Sequence, residues 1–298
     1  MHSGTYVLTR NCVHDSMHFM TTLVTGARGQ IGRAVLTTLH ARGLPVRAAS
    51  KDPSALDLPA GIEATTLPED LESLTAALKD VRQVFLYANP AAAGTFAQAA
   101  AAAGVEHVVL LSSSAVNDPN AAANPIGASH LAVENALAAV NLATTTLRPG
   151  GFDSNAFGWI AAVSAGEPIQ HAYPDAALAM IHPLDIADIA VAALTGDELR
   201  GRTVTLTGPA AISFRAQIGH LAEAVGREIP ITTITPAEAE AQMSGTMPPY
   251  IVNALLQTWA RTTDQPETPA DTTETLLGVP ARTFAQWARE NAPAFGAA

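Results

Sequence analysis

An α/β fold built on a doubly wound parallel sheet is predicted by three observations. A short strand, Thr21-Thr22-Leu23-Val24-Thr25, runs into a glycine turn, Gly26-Ala27-Arg28-Gly29-Gln30-Ile31-Gly32, and then into an amphipathic helix. Ile31, Val35 and Leu39 stand on one face of that helix at i, i+4 and i+8. Short apolar runs then alternate with helical stretches as far as Arg148, which is the pattern of parallel strands joined by crossover helices. The chain has 298 residues, 48% of them apolar, enough for one large α/β domain or two smaller ones.

The elements follow in order. Leu44–Ala49 reads as the second strand, Gly61–Thr66 as the third and Glu69–Leu78 as a helix. Gln83–Tyr87 is the fourth strand, Thr95–Ala103 a helix, and His107–Leu111 the fifth strand. Pro125–Val140 is a helix and Thr144–Arg148 the sixth strand. The alanine-rich block 91–103 has strong helix propensity. Beyond Pro149 the regularity breaks at Gly150, Gly151, Gly158 and Gly166. A late strand at Thr203–Thr207, a helix at Ser213–Val225 and a strand near Ile231–Thr235 precede a largely helical end with a Pro/Thr/Asp-rich loop at 262–273. The expected organisation is an extension at 1–19 and a nucleotide-binding core at 20–150. Residues 151–298 supply the remaining sheet elements and a smaller substrate-side subdomain over the carboxyl ends of the strands.

Charge and cysteine content exclude several classes. Sixteen Lys and Arg against 27 Asp and Glu leave a net charge of −11, which argues against a nucleic-acid or anionic-membrane partner. The one cysteine, Cys12, has no partner for an intramolecular disulfide. The most apolar stretch, 91–111, is interrupted by Gln98, Gly104, Glu106 and His107, too soon for a membrane span. Residues 1–19 hold no hydrophobic run of signal-peptide length. His14 and His18 stand four apart there without a third ligand, so no metal is expected. The expected compartment is the cytoplasm.

The strand–turn–helix context gives the glycines meaning. Gly26 permits a tight turn, Gly29 lets backbone approach a pyrophosphate, and Gly32 lets the helix pack on the strand. The N–H groups at Gln30 and Ile31 open the helix, where its dipole favours an anion. At the end of the second strand an NAD enzyme places an Asp or Glu against the ribose 2′-hydroxyl. This chain has Arg47, Ser50 and Lys51 before Asp52, and Arg28 lies in the turn itself. Cations and a hydroxyl suit a 2′-phosphate, so NADP(H) is preferred over NAD(H). A register shift of one residue would instead bring Asp52 into place. Asn89, closing the fourth strand, is expected near the adenosine side of the cofactor.

Several segments together resemble the NmrA-like branch of the atypical short-chain dehydrogenases/reductases. They are LVTGARGQIG, VVLLSSSAV, HLAVENAL, TTLRPGGFDSN, IHPLDIADIAVAAL, TVTLTGPAAIS and the closing LLGVPARTFAQWARENAPAF. The resemblance spans about residues 20–295 and implies a Rossmann fold binding NADP(H). Some members look like reductases of quinones or other electrophiles. Others look like non-catalytic redox sensors acting through a protein partner.

Catalytic short-chain dehydrogenases carry a Tyr-x-x-x-Lys pair on the helix after the fifth strand, and extended members carry a Glu four residues later. Setting Glu134 in that place puts His130 at the Lys position and Ile126 at the Tyr position. The resemblance therefore implies a site without its usual general acid, which suits a conjugated acceptor that spreads incoming charge, or no chemistry at all. His130 has two readings: a contact to the nicotinamide ribose or a proton source, and a surface pair with Glu134. Ser112 and Ser113 follow the fifth strand and are expected to reach cofactor or substrate. Pro149 and Gly150 are expected beside the nicotinamide. Phe152, Asn155 and Tyr173, with Trp159, are candidates for lining a substrate pocket. His182 and Asp185–Asp188 read as helix capping and packing, and Phe284, Trp287 and Phe295 as core anchors.

Replacing Lys51 or Arg28 by Ala should weaken NADPH binding roughly tenfold or more while leaving NADH binding nearly unchanged. Calorimetric titration with both cofactors measures the difference, and equal losses would refute the assignment.

Overall fold

The computed structural model describes residues 21–296, so the expectations for Cys12, His14, His18 and the rest of the extension lie outside the described residues. The first half alternates as expected: β1 (Thr21–Val24), α1 (Gln30–Ala41), β2 (Val46–Ala49), β3 (Glu63–Thr65), α2 (Leu71–Ala77), β4 (Val81–Tyr87) and α3 (Ala93–Ala103). It continues through β5 (His107–Leu111), α4 (Pro125–Ala138) and β6 (Ala143–Pro149). The second half comprises α5 (Ile160–Ala165), β7 (Ile169–His171), β8 (Ala177–Leu178), α6 (Pro183–Thr195), β9 (Thr203–Leu206), β10 (Ile212–Ser213), α7 (Phe214–Val225) and β11 (Ile231–Thr233). It ends with α8 (Pro236–Met243), α9 (Pro249–Asp264), α10 (Thr273–Leu277) and α11 (Phe284–Asn291).

Seven parallel strands form the main sheet in the order β3-β2-β1-β4-β5-β6-β9, which reverses direction between β1 and β4. Alternation along each strand fills two layers. Val24, Phe85, Val109, Leu111 and Leu147 face α1 and α6, whereas Leu23, Val84, Leu86, Val108 and Leu110 face α2, α3 and α4. The second half of the chain therefore completes the sheet with β9 and the helical layer with α6.

Three shorter clusters form around the segments that leave β6 and β9. Trp287 and Phe295 are fully buried and meet Phe157, with ring centroids 5.0 Å and 6.1 Å away. Phe284 is buried with them, as expected of core anchors. Parallel β7–β11 and antiparallel β8–β10 pairs knit these clusters.

The differences from the sequence reading have local causes. β2 begins at Val46 because Pro45 has no N–H for the ladder, and its carbonyl accepts from Thr22 N instead. α9 continues through Asp264, so the Pro/Thr/Asp-rich loop starts at residue 265. That loop forms a strap along the outer edge of β9. Thr207 N donates to Asp271 O, and Asp271 N to Thr205 O, both at 3.0 Å. An edge that would otherwise expose unpaired backbone is thereby covered.

Gly32 sets how closely α1 lies on β1: a Cβ there would stand 2.3 Å from Gly26 O. Gly32→Ala should destabilise the protein by about 1–3 kcal/mol. Gly219→Ala, in the middle of α7 with nothing within 4 Å of the added methyl, should stabilise by about 0.5–1 kcal/mol. Urea unfolding of the two variants tests the contrast.

Candidate functional site

At the carboxyl end of β1 the backbone turns at Gly26, which has φ +64° and lies against Tyr87. The Thr25 hydroxyl joins β1 to β4 here, donating to Phe85 O (3.1 Å) and accepting from Tyr87 N (2.7 Å). Gly29 is the exposed N-cap of α1, with no side-chain cap and no acidic residue in the first turn. The opening N–H groups of the helix, at Gln30, Ile31 and Gly32, are thus free for an anion. Ile31 contributes only backbone to this cradle, because its side chain is in the core.

The end of β2 decides how charge is arranged beside the cradle. Ser50 Oγ accepts from Asp52 N (3.2 Å), which folds the chain back on itself. Asp52 then caps the following turn, accepting from Ser54 N (3.2 Å) and Ser54 Oγ (2.6 Å). Those bonds, with help from nearby Arg28, hold its carboxyl below the usual carboxylate range. Lys51 and Arg28 are exposed, with no ion pair among the described residues. Arg47 does not join them. Its guanidinium pairs with Glu63 (3.4 Å) and donates to Ala77 O (3.2 Å), because Arg47 stands earlier on β2, in register with Glu63 of β3.

Across the switch point, β5, β6 and α4 build the other half of the crevice. Asn124 caps α4 by accepting from Ile126 N (2.9 Å), so Ile126 sits in the first turn, His130 in the second and Glu134 in the third. Glu134 is engaged by Arg148 (Nη2–Oε2 2.5 Å, Nε–Oε1 3.0 Å) and by the Ser112 hydroxyl (2.6 Å). Two expectations change as a result. Ser112 turns its buried hydroxyl to Glu134 rather than to a ligand. His130 makes no ion pair with Glu134 within 4.0 Å, so the surface-pair reading fails. Instead, His130 is half-buried, its Nδ1 has no partner, and burial lowers its pKa against the pull of Glu134. A neutral imidazole is a poor proton source at neutral pH, whereas its accessible Nε2 remains free for a ligand.

Ser113 Oγ accepts from Ala115 N (3.2 Å) as a turn cap, and Asn89 is exposed at the end of β4. Pro149 closes β6, and Gly150 N donates to Leu206 O (3.0 Å). Phe152 is half-buried, packs against the α1/α6 layer and bridges to Ile181 through its backbone. Tyr173 packs with Trp259 in the small clusters, while Asn155 is exposed.

A model of an NAD(P)H-binding family matches residues 26–197. The chain is 35% identical over 279 residues to (4-alkanoyl-5-oxo-2,5-dihydrofuran-3-yl)methyl phosphate reductase of Streptomyces griseus subsp. griseus, covering 92% of this chain and 98% of that one. The chain belongs to this NAD(P)H-binding family, among the atypical short-chain dehydrogenases/reductases. It is also 30% identical over 290 residues to an NAD(P)H azoreductase of Xenophilus azovorans, covering 93% and 99% of the two chains. Among solved structures, an NADPH-dependent quinone oxidoreductase from Escherichia coli in complex with NADPH superposes with a TM-score of 0.76 at 23% identity, over 91% and 99% of the two chains. At that identity the likeness shows the fold alone.

The cradle suits the cofactor this family binds. The uncapped first turn of α1, the bare Gly29 and the close packing at Gly32 leave room for a diphosphate and no acidic group to repel it. No helix among the described residues is long and apolar enough to cross a membrane. Nor does any group of three or more metal-ligating side chains occur among them.

Sequence reasoning missed four residues here. Tyr87 is exposed beside Gly26, and Ser114 and Glu267 approach Gly150. Asp153 is fully buried with both carboxyl oxygens unpartnered. Only Tyr87, as an exposed aromatic at a strand end, had a local signal. Asp153 lies near Asp185, which accepts from Arg282 N (2.9 Å) and Nη1 (2.5 Å). Burial, and secondarily the Asp185 charge, push Asp153 up to about 8. His182 caps α6 by accepting from Leu184 N (3.1 Å), in line with its sequence reading, and meets Glu290 of α11 at 3.1 Å.

Because Asp153 holds its proton in the folded state up to about pH 8 and loses it near pH 3.9 when unfolded, its contribution to stability is full below pH 4. That contribution falls as pH rises from about 4 to 8. Asp153→Asn should flatten this part of the profile and raise the melting temperature at pH 8 relative to wild type. Thermal unfolding from pH 5 to 8 tests it, and parallel profiles would refute it.

Proposed function

We propose that the protein is an NADPH-dependent reductase of a conjugated, electron-poor small molecule, quinone-like or an unsaturated carbonyl compound. The observation that carries this reading is the pairing of an intact dinucleotide cradle with a helix α4 that presents Ile126 and a neutral His130 where a proton-donating Tyr–Lys pair would stand. A missing general acid typically costs about 10²–10⁴ in rate for an isolated ketone. An acceptor that delocalises the incoming electron pair needs that acid least. The bound cofactor supplies the hydride; the chain supplies position and electrostatics.

Gly26, Gly29 and the N–H groups of Gln30, Ile31 and Gly32 would hold the diphosphate. Lys51, Arg28 and Ser50 would hold the 2′-phosphate, and Asp52 is drawn off to Ser54, which favours NADPH over NADH. His130 Nε2 would meet the nicotinamide ribose. Pro149 and Gly150 would leave the ring face open, with Asn155 at the substrate rim, and Asn89 would flank the adenosine side. Ser113 would reach the substrate only by giving up its turn cap.

The relatives agree in chemical type. One is named for an unsaturated lactone bearing an alkanoyl group, another for azo compounds.

The test is NADPH oxidation at 340 nm against a panel of quinones, enones, unsaturated lactones and simple ketones. Conjugated acceptors should turn over at least about 10²-fold faster than simple ketones. Tight NADPH binding without turnover of any acceptor would overturn the proposal in favour of a cofactor-sensing regulator.

A further inference from the structure

Tyr87 is the most exposed large apolar side chain among the described residues, at 57%, yet its backbone is firmly held. Its N–H donates to Thr25 Oγ1 (2.7 Å), and that hydroxyl donates in turn to Phe85 O (3.1 Å). On its other side β4 is paired with β5, Tyr87 standing in register with Leu111. The ring lies on the glycine turn rather than standing away from it. Outside the adjoining residues, the three atoms nearest to a Cβ placed on Gly26 are Tyr87 Cβ (3.1 Å), Cγ (3.3 Å) and Cδ2 (3.3 Å). Glycine at position 26 is thus demanded twice, by a φ of +64° and by the tyrosine against it. Phe85, two residues earlier on the same face of β4, is sealed in the α1/α6 layer. Tyr87 continues that row beyond the layer, and its hydroxyl bonds to no described residue.

The turn itself offers a diphosphate few side chains. Gly26, Gly29 and Gly32 have none, and those of Ala27 and Ile31 are buried. On the α1 side the donors are therefore backbone N–H groups. Tyr87 is the side chain that β4 presents to the same turn from the opposite side. The cofactor of this family crosses the sheet where the strand order reverses, between β1 and β4. Its diphosphate therefore passes between the head of α1 and Tyr87. An anion avoids the negative face of an aromatic ring, whereas a phenol hydroxyl donates to it. We propose that Tyr87 is a positioning residue for the cofactor: its hydroxyl donates to a diphosphate oxygen and its ring walls the β4 side of the crossing. This rests on the cofactor reading above and adds to it a side chain that the glycine pattern does not contain. The glycines admit the diphosphate; Tyr87 fixes where along the turn it stops.

The experiment measures three ligands by calorimetry on wild type, Tyr87→Phe and Tyr87→Ala. NADP⁺ is the whole cofactor, 2′-phospho-ADP-ribose keeps the diphosphate without the nicotinamide, and adenosine 2′-monophosphate has no diphosphate. Tyr87→Phe keeps the ring on Gly26 and removes only the hydroxyl, so a purely structural role would leave its binding unchanged. It should weaken NADP⁺ and 2′-phospho-ADP-ribose by the same factor, roughly tenfold, and leave the monophosphate unaffected. Tyr87→Ala should weaken the first two further. Unchanged NADP⁺ binding in Tyr87→Phe would overturn the proposal. So would an equal loss for the monophosphate, or a loss for NADP⁺ that 2′-phospho-ADP-ribose does not share. Wild type that binds NAD⁺ more tightly than NADP⁺ would remove the NADPH preference alone, and NAD⁺, ADP-ribose and adenosine then give the same comparison for Tyr87.

Discussion

The Arg148–Glu134 pair holds the β5, β6 and α4 side of the crevice together. Arg148 sits near the end of β6 and makes two bonds to Glu134 of α4, while its third nitrogen donates to Asn117 Oδ1 at 2.8 Å. Asn117 in turn donates to Thr205 of β9 (2.8 Å), and Ser112 at the end of β5 donates to Glu134. One largely buried ion pair thus ties α4, β5, β6, β9 and the turn after β5 into a single unit. Such a pair gains little net stability over apolar packing, yet removing either partner leaves a desolvated charge and costs about 3–5 kcal/mol. Its value is positional: Ser112, His130 and Gly150 stand on or next to those elements.

The same arrangement shapes the surroundings of His130 on α4. Glu134 is saturated by Arg148 and Ser112, so it cannot serve as a partner to His130 one turn earlier. Burial therefore lowers the His130 pKa, with only the more distant charge of Glu134 opposing it. The first turn of α4 is also crowded: a Cβ on Gly127 would lie 2.7 Å from Ala121 O and 2.9 Å from Ala115 O. Helix and turns are packed backbone to backbone there.

A second buried network fastens the smaller clusters to the sheet. Arg282, just before α11, bonds Asp185 and Asp188 of α6, and Glu290 within α11 meets His182 at the head of α6. Burial pushes the Asp185 pKa upward, opposed by two bonds and the charge of Arg282 and by the charge of His182. Asp153, in the loop leaving β6, lies against this network without a partner of its own. The loop leaving β6, the C-terminal helix and the helix packed on α1 consequently meet at one set of titratable groups.

The local features of the protein were legible in its sequence because short-range physics fixes them. The strand, turn and helix from Thr21 to Ala41 follow from spacing and from glycine conformational freedom, and the buried run His107–Leu111 was read to the residue. Capping at His182 is likewise local. What the sequence could not decide was direction and long-range partnership. Arg47 was counted among the phosphate-binding cations, but strand register aims it at Glu63. Ser112 was expected to reach the cofactor, but its buried hydroxyl is held by Glu134 of α4. Glu267, 117 residues from Gly150 along the chain, meets it only because the strap after α9 follows the edge of β9. Periodicity and turn chemistry act over a few residues and therefore specify the cofactor cradle. Charge placement around the ends of β2 and β6 depends on which distant segments the sheet brings side by side, and only the tertiary structure decides that.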